Sequence, residues 1–69
     1  MKIGYKSFTI EVTTNQKDGL WAADVLMRAL NRIMSDRTEV EGHISEDEAE
    51  IAALLLAKAR IDVLAASKL

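Results

Sequence analysis

Apolar and polar residues alternate near the start of the chain. Phe8, Ile10 and Val12 are separated by polar neighbours, and strand-favouring β-branched and aromatic residues are dense around them. A period of two is typical of a strand with one buried face. We therefore predict that residues 2–14 form one strand.

A polar break follows and ends in Asp18-Gly19, a dipeptide that favours a two-residue hairpin turn. If these residues form the turn, Lys17 faces Leu20 and the pairing continues outward from there. That register brings the apolar positions of two strands onto one face, namely Phe8, Ile10, Val12, Trp21, Ala23, Val25 and Met27. A slip of one residue would destroy the match, so the match supports a hairpin.

A helix over residues 22–34 is the alternative for the same stretch. Ala22, Leu26, Ala29 and Ile33 recur at helical spacing, and the local composition favours helix. The hairpin register and the Asp-Gly turn favour a strand over residues 20–28. Residues 29–36 carry no decisive signal.

Residues 37–44 alternate again and predict a third strand, in which Gly42 is a bulge or a point of close approach. On this strand we expect His43 to share a solvated face with Glu39 and Glu41. A metal or acid–base site is conceivable there, although an exposed histidine at a strand end is the simpler interpretation.

The last third of the chain predicts one long helix over residues 45–69. Ser45 and Glu48 form a capping box, and acidic residues occupy the first turn at the positive end of the helix dipole. No Gly or Pro follows Ala49, and most residues are strong helix formers.

This predicted helix is apolar on two sides. The first apolar stripe contains Leu54, Ala57, Ile61, Leu64 and Ala65, and we expect it to pack on the sheet. The second stripe contains Ala52, Leu55, Leu56, Ala59, Val63 and Ala66, and we predict that it binds a second copy of the chain. A single wide core with alanines at its margins is the alternative.

These elements predict a single two-layer α+β domain over residues 1–69. Its sheet has three mostly antiparallel strands under one long C-terminal helix (β-β-β-α); the alternative order is β-α-β-α, with residues 22–34 helical. So short a chain buries a limited core, and small domains are often supported by disulfides, metals or oligomerisation. With no cysteine and one histidine, oligomerisation is the expected support.

Charge and hydropathy bear on partners and location. The net charge is −2 and the isoelectric point is about 5.2, which argues against a nucleic-acid surface. No apolar run has the length of a membrane span, and residues 1–10 lack the apolar run of a signal peptide. We expect a cytoplasmic protein that does not bind membranes.

The sequence shows no constellation of nucleophile, base and metal ligands, so we predict a protein without enzymatic activity, cofactor or small-molecule ligand. Arg28, Arg32 and Arg37 could form a basic patch with Tyr5 or Trp21 as a stacking platform. Scattered solvated charges are the simpler interpretation of these arginines.

Three runs of residues carry a resemblance. Residues 5–12, 19–25 and 45–49 contain Tyr-Lys-x-Phe-x-Ile, Gly-x-Trp and Ser-x-x-Glu-Ala, ahead of a helix with Ala57-Lys58-Ala59 and Ile61-Asp62. In these features the chain resembles a group of small bacterial proteins of unknown function and, more distantly, the β-β-β-α unit of HicB-like antitoxins. The resemblance implies a fold and supplies no catalytic residue.

Two functions follow as hypotheses. The first is a non-catalytic interaction module that forms a homodimer through the second helix stripe. The second is a nucleic-acid-linked regulator or antitoxin-like partner protein.

Overall fold

The computed structural model describes residues 1–31 and 33–66. Along them the chain forms four strands and one helix: β1 (Lys2–Tyr5), β2 (Phe8–Lys17), β3 (Leu20–Ala29), β4 (Ser35–His43) and α1 (Glu46–Ala66). The strands make one antiparallel sheet in the order β1-β2-β3-β4, and α1 covers one of its faces. The two-layer α+β class is therefore confirmed.

The sheet has four strands, and the prediction of three was wrong. The single strand expected over residues 2–14 is interrupted at Lys6-Ser7, where the chain reverses and Tyr5 pairs with Phe8. Lys6 has a φ of 46° and Ser7 a φ of 65°. Two successive residues at positive φ match the twist of a tight hairpin, but glycine and asparagine are the usual occupants.

The predicted hairpin between β2 and β3 is confirmed residue by residue. Lys17 pairs with Leu20, and the register continues to Phe8 opposite Ala29. Asp18 and Gly19 form the turn with φ values of 53° and 79°. Because residues 20–29 pair with β2 along their whole length, the helical alternative for residues 22–34 was wrong.

A bulge near the end of β4 changes which face its last residue occupies. Trp21 pairs with His43 and Ala23 pairs with Val40, so two residues of β4 stand opposite Ala22 alone. One of the two is Gly42, whose φ of 81° suits a bulge. His43 consequently lies on the face of Trp21, and the prediction that it shares a face with Glu39 and Glu41 was wrong.

The core lies between the sheet and α1. Alternate residues of β2 and β3 supply its sheet side, and Ala49, Ala53, Ala57 and Ile61 supply its helix side. Three of these four helical residues are alanines, so the helix backbone can approach the sheet closely. Within residues 1–31 and 33–66, no polar or charged residue is buried.

α1 begins at Glu46, directly after Ser45, the predicted N-cap residue. The backbone N–H of Glu48 donates to Oγ of Ser45 at 3.2 Å, which satisfies one of the free donors of the first turn. The helix is described to Ala66, and the predicted continuation to Leu69 lies outside the described residues.

Candidate interaction surface on the helix

The side of α1 that faces the sheet matches the first predicted stripe. Ala57 and Ile61 are completely buried, and Leu54 and Leu64 pack against the core. Ala65, the last member of that stripe, is half-buried. One apolar side of the helix is thus covered by the chain's own sheet.

The second predicted stripe remains largely open to solvent. Leu55 is 65% exposed and Val63 is 69% exposed. Ala59 and Ala66 are also exposed, whereas Ala52 and Leu56 are half-buried. A single wide core, the alternative prediction, would have buried Leu55 and Val63. We call this surface the outer face; it consists of Ala52, Leu55, Leu56, Ala59, Val63 and Ala66.

The architecture explains why the outer face lacks cover. The molecule is a slab of one sheet and one helix, with dimensions of 43 × 17 × 15 Å. Among residues 1–31 and 33–66, no third layer lies over α1. A helix that is apolar on both sides ordinarily has cover on both sides.

Polar contacts on the β1 side of α1 hold the helix on its sheet. Nζ of Lys6 and Oη of Tyr5 both donate to Oδ1 of Asp62, at 2.7 and 2.8 Å. The bond from Lys6, followed by that from Tyr5, holds the pKa of Asp62 below its usual range. The same contacts with Asp62 raise the pKa of Tyr5 and of Lys6. Nζ of Lys58 lies 5.5 Å from the centre of the Tyr5 ring, within cation–π range.

A corresponding contact borders the outer face on the β4 side. Nη1 of Arg60 donates to Oδ2 of Asp36 at 3.0 Å. Beside this ion pair runs a shallow groove of about 350 Å³, which extends the outer face toward β4. The groove is lined by Asp36, Ala59, Arg60, Val63 and Leu64. The charges at both borders are therefore directed toward the chain's own sheet.

Ile51 adjoins the outer face and was missed in the predicted stripe. Its side chain is 57% exposed, and it lies one helical turn before Leu55. The spacing of Ile51, Leu55 and Ala59, four residues apart, is the signal that could have identified it.

The other candidate sites are not assembled. His43 lies on the opposite face of β4 from Glu39 and Glu41. The described residues contain no group of three or more side chains suited to a metal ion. Arg28 and Arg37 stand opposite Ser35 and Leu26 in the sheet.

The proposed stacking platform is likewise absent from the arginine surface. Tyr5 and Trp21 pack against the core, on the face of the sheet that α1 covers. The solvent-facing side carries Glu11, Asp24 and Glu39 near the two arginines, so its charge is mixed. Arg32, the third predicted member of the patch, lies outside the described residues.

The only helix in the described part of the chain is α1, and it does not combine the length and the apolar character that a membrane-spanning helix needs. The predicted absence of a spanning helix agrees with this finding.

No protein-family model, curated protein sequence or solved structure matches the chain.

Proposed function

We propose that this protein is a small interaction module without catalytic activity, which forms a homodimer through the outer face of α1. The observation that carries the proposal is the exposure of Leu55 and Val63, 65% and 69%, on the side of the helix that the sheet does not cover. Leu55 and Val63 lie about two helical turns apart with Ala59 between them. An exposed aliphatic surface of this kind is typical of an interaction site.

The free energy available from this surface can be compared with the cost of association. Fully burying a large aliphatic side chain contributes about 1.5–3 kcal/mol. A symmetric dimer would cover Leu55 and Val63 on both copies. With about two-thirds of each side chain still to be buried, the gain is roughly 4–8 kcal/mol. This is comparable with the lower estimates of the cost of association, about 4 kcal/mol and upward, so we expect a dimer that dissociates on dilution.

Dimerisation would also support the fold. A chain of 69 residues buries a smaller fraction of its surface than a larger domain and has a small margin of stability. A partner that binds only the folded state adds to that margin in proportion to its concentration. The side chains of the outer face are entirely aliphatic, which suits packing and offers no reactive group. A cytoplasmic location is part of this proposal.

The test is a pair of substitutions that introduce the same charge at similarly exposed leucines. Leu55→Glu places a carboxylate within the outer face. Leu30→Glu, at a position 69% exposed in the connection between β3 and β4, is the matched control. Masses are measured by sedimentation equilibrium at high micromolar concentration, and folding is checked by circular dichroism.

We expect the native chain and Leu30→Glu to be dimers, and Leu55→Glu to be a folded monomer. Val63→Glu should behave like Leu55→Glu. A dimer that survives both outer-face substitutions, or a native chain that is monomeric, would overturn the proposal.

A further inference from the structure

We infer that the two copies of α1 pair antiparallel, about a two-fold axis that passes beside Ala59. This inference rests on the proposed homodimer and adds the direction and register of the helices. The inference is carried by a symmetry in the order of large and small side chains along the outer face. The fold of a single chain does not depend on that symmetry.

The outer face has nearly the same order from either end. Leu55 and Val63 lie four residues before and after Ala59, and Ala52 and Ala66 lie seven residues before and after it. The series is therefore small, large, small, large, small, with equal spacing on the two sides of Ala59. Leu56 is the one member of the face without a symmetric apolar counterpart; its counterpart is Asp62.

An isologous antiparallel pair uses this order directly. A two-fold axis beside Ala59 brings Leu55 against Val63 of the second copy, and Ala52 against its Ala66. Each large side chain meets a large one, and the alanines meet at the axis and at both ends. A parallel pair would place every residue against its own copy whatever the spacing. The symmetry about Ala59 is thus a feature that only the antiparallel pair uses.

The alanines also allow the helices to approach closely. Ala52, Ala59 and Ala66 recur every seven residues, the repeat that keeps one seam of a helix against its partner. The distance between packed helices is set by the side chains at the contact, and alanine leaves the backbones near one another. Leu55 and Val63 would then pack alongside this alanine seam.

Charge favours the same direction. The first turn of α1 carries Glu46, Asp47 and Glu48. A parallel pair would gather six carboxylates at one end, three from each copy. An antiparallel pair separates the two groups by the length of the helix and opposes the two helix dipoles. Charged residues close to Ala52, Ala59 and Ala66 include Arg60 and Asp62. These two do not prevent close approach of the two helices, because Asp62 bonds to Lys6 and Arg60 bonds to Asp36 within one protomer.

Disulfide cross-linking can determine the direction, because the chain contains no cysteine. Ala52→Cys, Ala59→Cys and Ala66→Cys are small changes at three heights along the seam. In the antiparallel pair, the two copies of residue 52 would be about 21 Å apart along the axis at about 1.5 Å per residue. A disulfide requires Cα atoms within about 7 Å. Thr13→Cys, exposed on the other face of the sheet, reports random collision.

We expect Ala59→Cys to cross-link with itself under mild oxidation. Ala52→Cys and Ala66→Cys should each fail to cross-link alone but should cross-link when mixed, giving one disulfide-linked peptide pair by mass spectrometry. Thr13→Cys should stay uncross-linked.

Efficient cross-linking of Ala52→Cys and of Ala66→Cys alone would show a parallel pair, and would overturn the inference while leaving the dimer intact. A native chain that sediments as a dimer while no outer-face cysteine cross-links would overturn both the inference and the outer face as the interface. A native chain that sediments as a monomer would contradict the proposed function itself.

Discussion

Nζ of Lys6 lies 2.7 Å from Oδ1 of Asp62, although the two residues are 56 positions apart in the chain. Lys6 is in the turn between β1 and β2, and Asp62 is in the last third of α1. The contact therefore ties the shortest strand of the sheet to the helix, and Oη of Tyr5 strengthens it by donating to the same carboxylate oxygen at 2.8 Å.

Asp62→Asn should lower the stability of the fold in a pH-dependent way. The pKa of Asp62 is held below its usual range by the bonds from Lys6 and Tyr5. A carboxylate with a lowered pKa in the folded state contributes stability above its unfolded pKa, and this contribution is lost as the pH falls through the folded pKa. The side chains of Lys6 and Asp62 are both about half exposed to solvent, so the loss of stability should be small and weakened by salt.

Urea denaturation midpoints at neutral and at strongly acidic pH would measure this difference. We expect the native chain to exceed Asp62→Asn at neutral pH and to equal it in acid. Asp24→Asn removes a carboxylate from the exposed face of the sheet and is the control for the change in net charge. Equal midpoints for the native chain and Asp62→Asn at neutral pH would show that the ion pair contributes nothing.

Ser7→Gly should stabilise the protein. Ser7 has a φ of 65°, a conformation that is unfavourable for residues with a Cβ and neutral for glycine. Relief of this strain exceeds the entropy that glycine adds to the unfolded chain, so we expect a gain of about 0.5–1 kcal/mol. Ser35→Gly, in β4, should instead destabilise. Both are measured as the free energy of unfolding in urea, and a loss at Ser7 would mean that the turn is not strained.

Ser45→Ala should destabilise the protein by about 0.5–2 kcal/mol, because the N–H of Glu48 would lose its acceptor. Ser45→Asp keeps an acceptor at the same position and should restore most of the loss. The free energy of unfolding in urea tests both variants. A full loss in Ser45→Asp would indicate that the cap is not the origin of the effect.

Ile61→Ala and Val63→Ala should separate folding from association. Ile61 is completely buried beneath the helix, and its truncation should cost about 2–5 kcal/mol of unfolding free energy. Val63 is on the outer face, so Val63→Ala should leave the stability of the dilute monomer nearly unchanged and weaken the dimer. Denaturation at low concentration and sedimentation at high concentration measure the two effects. Similar losses of monomer stability would place Val63 in the core.

Local patterns were sufficient to predict the central hairpin and the helix start. The Asp18-Gly19 turn and strict alternation define one register of β2 and β3, since any slip would expose the core residues. Ser45 and Glu48 similarly define where α1 begins. In both cases the decisive residues are neighbours in sequence.

The turn at Lys6-Ser7 and the face of His43 could not be predicted in the same way. Neither Lys6 nor Ser7 is a residue type that signals positive φ, so the alternation from Lys2 appeared uninterrupted. Gly42 did signal a bulge, but the pairing of His43 with Trp21 depends on how many residues the bulge contains. These features are set by contacts between distant parts of the chain.

The outer face was identified because two apolar stripes are visible in the helical periodicity itself. Ile51 was missed, since it lies at the edge of the second stripe. The occupant of the face is a separate matter, which depends on a second molecule and has no signature in local propensity.

The molar mass of the native chain in solution tests the central claim most directly. Light scattering coupled to size-exclusion chromatography, over a dilution series from high micromolar to submicromolar concentration, would measure it. For a chain of 7.6 kDa, we expect twice that mass at the high end and a fall toward the single-chain mass on dilution. A single-chain mass at every concentration would contradict the homodimer.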